Sequence, residues 1–192
     1  MSTIARISID QYEQMIAAGV FEPRESNRIE LIRGELRKMS PIGPEHDDAV
    51  DYLNEWSMQS KPAAVRVRIK SMVALPKLKS APEPDVTWLT RKLSGRHPQP
   101  ADVLLIIEVA KSSLKFDRGE KARLYAKSGV RDYWVVNVLD RCIEVYREPL
   151  RARYQSLTTH ARGEQVRPLA FPDVVLDVAS LFDSIGSDAE ES

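Results

Sequence analysis

Cysteine, histidine and net charge are scarce in this sequence of 192 residues. Cys142 is the sole cysteine, so no disulfide can form within the chain. That composition suits a reducing compartment. One cysteine and three scattered histidines also leave no ligand set for a structural zinc ion. Lysine plus arginine and aspartate plus glutamate number 28 each, giving a formal net charge of zero. Such a chain does not hold nucleic acid by bulk electrostatics, and any contact of that kind must come from a local basic face. No stretch approaches the roughly 18 apolar residues of a membrane span. The longest apolar run, Val103 to Ile107, is broken by Glu108. The N-terminal MSTIARISIDQYEQM has no signal-peptide pattern, so the cytoplasm is the expected location and no membrane partner is expected. Glycine-rich phosphate loops, nucleophile elbows, internal repeats and low-complexity blocks are missing too.

What is present is an ordinary globular composition, 43% hydrophobic and 29% charged, in a chain long enough to bury a core without staples. No linker stands out. One domain is expected over residues 1–186, followed by a frayed acidic tail at 187–192. The pattern predicts a helix over 8–18 with Ser8 as its N-cap and Gly19 as its stop. Two short alternating runs around Arg33-Gly34 predict a β-hairpin over 28–39. Ala49, Val50, Leu53 and Trp56 fall on one face of a helix over 45–57, with His46 at its start on the same face. A strand is expected over 65–75 and a polar, proline-rich connection over 76–84. Short strands are expected over 85–89 and 133–138, and the near-continuous apolar run 102–110 reads as a central strand buried on both faces. A helix over 117–128 is expected, with Asp117 as N-cap and Gly129 as stop, then outer strands over 143–146 and 154–158 and a helix over 178–184. Strand, helix and strand over 102–138 imply a βαβ crossover inside a mixed α/β sheet. Trp56, Trp88 and Trp134 lie in apolar contexts and are expected in the core.

Glu108 is the informative anomaly. A carboxylate inside Leu104-Leu105-Ile106-Ile107-Glu108-Val109-Ala110 is costly to bury alone and needs a cation, a metal or a proton. The plainer alternative is a strand-end glutamate that reaches solvent or an arginine. Asp85 opens a strand after Pro84, a position that a turn aspartate would also take. Lys121 shares a helix face with Asp117 and Tyr125, where it either approaches Glu108 or forms a solvated pair with Asp117. Two carboxylates from neighbouring strand ends can hold a hard cation such as Mg²⁺ or Mn²⁺ through oxygen ligands. Such an ion, with a lysine beside it, is a minimal kit for phosphodiester hydrolysis. Arg66, Arg68 and Lys70 alternate with apolar residues and form a basic face that either contacts DNA phosphates or is solvated.

The order Ile29-Glu30-Leu31-Ile32-Arg33-Gly34-Glu35, Met39-Ser40-Pro41, His46 and Pro82-Glu83-Pro84-Asp85-Val86 resembles the Uma-two family. So does its continuation in Ile107-Glu108-Val109, Asp117, Glu120-Lys121, Tyr125, Gly129-Val130 and Tyr133-Trp134. That family is described as restriction endonucleases of the PD-(D/E)xK superfamily, and the resemblance covers residues 28–181. It implies a restriction-endonuclease-like core, a mixed β-sheet flanked by helices with the active site at its split edge. It implies Asp85 and Glu108 as metal ligands. The superfamily motif expects a lysine two residues after the acid, where this chain has Ala110. Lys121 is the best replacement. Lys111 is a poorer one, since the next residue along a strand faces the other way. Glu30, Glu35 and His46 also match family positions and are candidates to complete the site, with Glu30 preferred among the acids.

The leading expectation is therefore a metal-dependent DNA endonuclease with Asp85, Glu108, Lys121 and Glu30 in its site. Asp117 is an accessory residue, and a homodimer is a plausible arrangement for cutting two strands. The runner-up is an inactive module on the same fold that binds nucleic acid or a protein, which zero net charge and Ala110 favour. A carboxylate-pair hydrolase acting on sugars would need an aromatic-lined cleft that nothing in the sequence arranges.

Overall fold

The computed structural model describes residues 4–23, 28–39, 42–91 and 95–186. The predicted tail at 187–192 and the Ser40-Pro41 pair lie outside those residues. Helix α1 (Ile9–Ala17) opens on a capping box, in which Ser8 Oγ accepts from Gln11 N and Gln11 Oε1 accepts from Ser8 N. Its buried Tyr12 donates a hydroxyl hydrogen bond to Ile29 O at 2.6 Å, tying α1 to the next element. That element is the expected hairpin, β1 (Ile29–Ile32) with β2 (Glu35–Lys38), turning at Arg33-Gly34. Gly34 has φ +79°, and a Cβ there would lie 2.8 Å from Arg6 Cβ, so only glycine fits.

Helix α2 (Pro44–Ser60) buries Ala49, Val50, Leu53 and Trp56, the stripe read from the sequence. Strand β3 (Val65–Ile69) is shorter than expected. Lys70 takes a left-handed φ of +44° and ends it. The segment that follows is no exposed connection. Val73, Leu75, Ser80 and Ala81 are buried in it, and Ala81 N donates to Leu31 O at 2.7 Å, docking the hairpin.

The main sheet continues with β4 (Val86–Thr90), β5 (Val103–Ala110), β6 (Asp132–Asn137), β7 (Cys142–Leu150) and β8 (Arg153–His160). Its spatial order is β3-β4-β5-β6-β7-β8, and all neighbours are antiparallel except the parallel pair β5 and β6. The crossover between those two is helical: α3 (Leu114–Phe116), a π-helical turn over Asp117–Lys121, then α4 (Ala122–Ser128). Gly129, at φ +88°, stops it. Asp117 is therefore not the N-cap. The helix begins at Leu114, and Asp117 lies inside it with its side chain buried. A short pair, β9 (Gln165–Val166) and β10 (Leu176–Asp177), leads to α5 (Val178–Asp183).

Alternation along β5 divides the core. Leu105, Ile107 and Val109 face α2 with Trp88 and Trp134. Ile106 and Ala110 face α4 with Tyr125, Tyr133 and Val135. Each fully buried large apolar side chain adds roughly 1.5–3 kcal/mol of transfer free energy. The three indoles sit in the core as expected, and each N–H is satisfied, by Val175 O, Ser57 Oγ and Asp132 Oδ1. The same alternation turns Glu108 toward α4, between two apolar neighbours on its own strand.

Candidate active site

Glu108 is 3% exposed, so the sequence puzzle of a carboxylate in an apolar strand is met by partners rather than by solvent. Lys121 Nζ stands 2.9 Å from Glu108 Oε1, and Tyr125 OH donates to the same oxygen at 2.8 Å. The pair sits at i and i+4 on the crossover helix, which explains why both reach one carboxylate. Lys121 is itself ringed by acids. Glu30 Oε2 and Asp117 Oδ1 each lie 3.7 Å from its Nζ, and both residues are buried. The π-helical turn carries Asp117 and Lys121 into the interior while Arg118 points the other way and grips the buried Glu144 with two nitrogens. Glu108, Val135 and Glu144 are successive partners across β5, β6 and β7. The helix is thus pinned to one row of the sheet at two points.

Asp85 arrives by register. Val86 pairs with Ile107, which brings the preceding residue beside Glu108 and Val109. Asp85 Oδ2 accepts from Val109 N at 2.9 Å, and its Oδ1 lies 3.2 Å from His46 Nε2 at the start of α2.

The environments of these two acids push them apart. Burial raises the Glu108 pKa most, Lys121 opposes it, and the charges of Asp117 and Asp85 raise it further, to about 8. Burial also works against the Asp85 charge, but hydrogen bonds from His46 and the Val109 N–H hold its pKa below the usual range. Asp117 is raised, chiefly by burial. Lys121 loses to burial but gains more from Glu108, Glu30 and Asp117, so it stays protonated far above neutrality. Two neighbouring carboxylates with opposed shifts are a pattern found where acid and base roles are divided.

The other residues singled out from the sequence lie elsewhere. Glu35, half-buried next to the turn, pairs with Arg6 and Arg37, both at 3.3 Å, and does not reach the cluster. Lys111 pairs with Glu45. Lys70 turns to Asp47 at 2.9 Å, while Arg66 and Arg68 line a separate groove against α1. Tyr125 is the partner of Glu108 that a search for charged residues passes over, although its spacing from Lys121 points to it.

Glu30, Asp85, Glu108, Asp117 and Lys121 border a cleft of about 710 Å³ between the hairpin, the start of α2 and the crossover helix. Among the described residues no group of three or more His, Cys, Asp or Glu stands at the spacing that a metal ion requires. No helix among them is long and apolar enough to cross a membrane.

A mixed sheet with helices on both faces, carrying acids at adjacent strand ends and a lysine from the crossover helix, defines a restriction-endonuclease-like α/β protein. The chain belongs to the Uma2 family, described as "Putative restriction endonuclease", whose model matches residues 9–179. A crystal structure titled as a "putative nuclease" from Anabaena variabilis is similar to it at a TM-score of 0.71. The alignment covers 93% of this chain and 99% of that one at 15% identity, a likeness of fold. No curated protein matches the sequence.

Proposed function

We propose that this protein is a metal-dependent endonuclease hydrolysing DNA phosphodiester bonds at the Asp85–Glu108–Lys121 cluster. The observation that carries the reading is the charge balance of the cluster. Glu30, Glu108 and Asp117 surround a single buried ammonium, Asp85 lies beside Glu108 on the neighbouring strand, and Glu30 Oε2 has no hydrogen-bond partner. Buried carboxylates in excess of cations are what a hard divalent ion stabilises. Asp85 and Glu108 would hold it, and Mg²⁺, which keeps several of its waters, needs only one or two carboxylates. When bound, such an ion supplies Lewis acidity toward a phosphoryl oxygen.

The chain's own groups have separate tasks. Asp85 is kept ionised by His46 at one oxygen and by the Val109 N–H at the other. Tyr125 and Lys121 hold Glu108 in one rotamer. The Lys121 ammonium, whose pKa its acid neighbours raise, offsets negative charge that builds on the phosphate. It takes the place of the motif lysine, which Ala110 cannot supply. A homodimer would suit the cutting of both strands of a duplex. A cytoplasmic location fits the single cysteine.

The test is cleavage of plasmid and oligonucleotide DNA with Mg²⁺ or Mn²⁺. Wild type is expected to cut and to stop in EDTA. Asp85→Asn, which can still accept from Val109 N, is expected to fold normally and to lose about 10³-fold in rate. Equal cutting by both proteins would remove Asp85 from the site. No cutting of single-stranded, duplex or branched DNA by folded wild type would favour a non-catalytic binding module, the reading that Ala110 supports.

A further inference from the structure

Arg28 lies at the base of the hairpin, where its carbonyl accepts from Met39 N at 2.8 Å, so its backbone is fixed. The residue borders the same cleft as the acids. Its Nη2 is buried and has no hydrogen-bond partner, and no acid lies within ion-pair distance among the described residues. Other cations nearby are committed: Arg37 to Glu35 and Glu120, Arg118 to Glu144, Lys111 to Glu45. A buried guanidinium donor without an acceptor is costly, and folded proteins rarely keep one that nothing satisfies. The floor of the cleft is acidic, so a ligand that came to it for the acids alone would be a cation. A guanidinium on the wall adds the opposite preference, for a planar, multi-oxygen anion bound through paired N–H donors. Lys38, Lys115 and Arg123 line the cleft as well, each without an ion pair among the described residues.

We infer that Arg28 is a substrate-binding residue that takes a backbone phosphate of the nucleic-acid strand in the cleft, next to the phosphate at the acids. Lys38, Lys115 and Arg123 continue that track along the rim. The inference rests on the nucleic-acid reading above but not on catalysis. It implies that Arg28 serves binding at the expense of the free protein's stability.

The experiment measures binding of a fluorescein-labelled DNA duplex by anisotropy across a salt series, in EDTA and again with Ca²⁺. Wild type is compared with Arg28→Met and Arg28→Lys, with thermal melts alongside. Arg28→Met is expected to melt at the same temperature as wild type or higher. Its Kd is expected to rise about tenfold, with the slope of log K against log salt smaller by about 0.9. Arg28→Lys is expected to restore the slope but only part of the affinity, because an ammonium lacks the paired donors. Arg28→Met binding with unchanged affinity and slope would overturn the inference. So would a clear fall in its melting temperature, which would make Arg28 structural. Wild type that binds DNA in neither condition overturns this inference and the nucleic-acid reading together. Wild type that binds, with Arg28-dependent slope, yet cuts nothing sinks only the catalytic reading.

Discussion

Lys121→Met is expected to destabilise the metal-free protein by about 3–5 kcal/mol at pH 8. Lys121 is 3% exposed, and its ammonium has Glu108 at 2.9 Å with Glu30 and Asp117 at 3.7 Å. Methionine fills the volume but leaves those acids, each almost wholly buried, facing one another. Removing one partner of a buried pair costs more than the pair itself contributes, because the orphaned charge stays behind. Here three carboxyls lose their cation, so the variant should take up more protons on folding than wild type does. Urea denaturation with chelator present reads the loss. Mn²⁺ should return part of it, since a bound dication does electrostatically what the lysine did. A loss below about 1 kcal/mol would show that the cluster tolerates its own charge, and the account of Lys121 as its organising cation would fail.

The second large effect is on pH. The Glu108 pKa in the folded protein, about 8, lies above its ordinary 4.5. Between those values the folded chain holds a proton that the unfolded chain has released. Stability from this group is therefore fully present below about pH 4.5 and is lost as pH rises through about 8, a change on the order of 5 kcal/mol. Asp117 is displaced in the same direction and adds to the fall. Asp85 acts with the opposite sign: its lowered pKa contributes stability that is present above about 3.8 and is lost as pH falls through its folded value. Metal-free wild type should thus become easier to unfold from pH 5 to pH 9, and Glu108→Gln should flatten that slope while abolishing cleavage. Denaturant midpoints across the range separate the two proteins. Parallel slopes would mean that Glu108 is ionised throughout and that Lys121 alone satisfies it.

Much of this site is legible in the amino-acid sequence, for reasons that can be named. Glu108 stands out because a single carboxylate interrupts an otherwise unbroken apolar strand. Lys121 is found because a helix with a clear stop at Gly129 fixes which residues share its face. The α2 stripe and the tryptophan core follow from periodicity and burial. The less legible parts are those where local chemistry has two outcomes. An aspartate ahead of a helical pattern looks like an N-cap, and only the earlier start at Leu114 puts Asp117 inside the cluster. The π-helical turn that lets Asp117 and Lys121 point inward together has no sequence signature. In the hairpin, Glu30 pairs with Arg37 and Glu35 with Ile32, so both acids share one face, and alternation cannot say which of them reaches the cluster. Position along the hairpin separates them: Glu30 comes within 3.7 Å of Lys121, while Glu35, next to the turn, pairs with Arg6 and Arg37. Strand β3 ends early because Lys70 adopts a left-handed turn, a conformation that nothing in its side chain demands. Arg28 is found only from the structure, since an unsatisfied donor is a property of the fold.

The most direct test of the central claim is an anomalous difference map from crystals of the wild-type protein soaked in Mn²⁺. The account predicts a peak bounded by the Asp85 and Glu108 carboxylates in the cleft beside Lys121, absent from crystals of Asp85→Asn. A fully occupied map with no peak there, or a peak confined to surface acids such as Glu45 or Asp47, would contradict it.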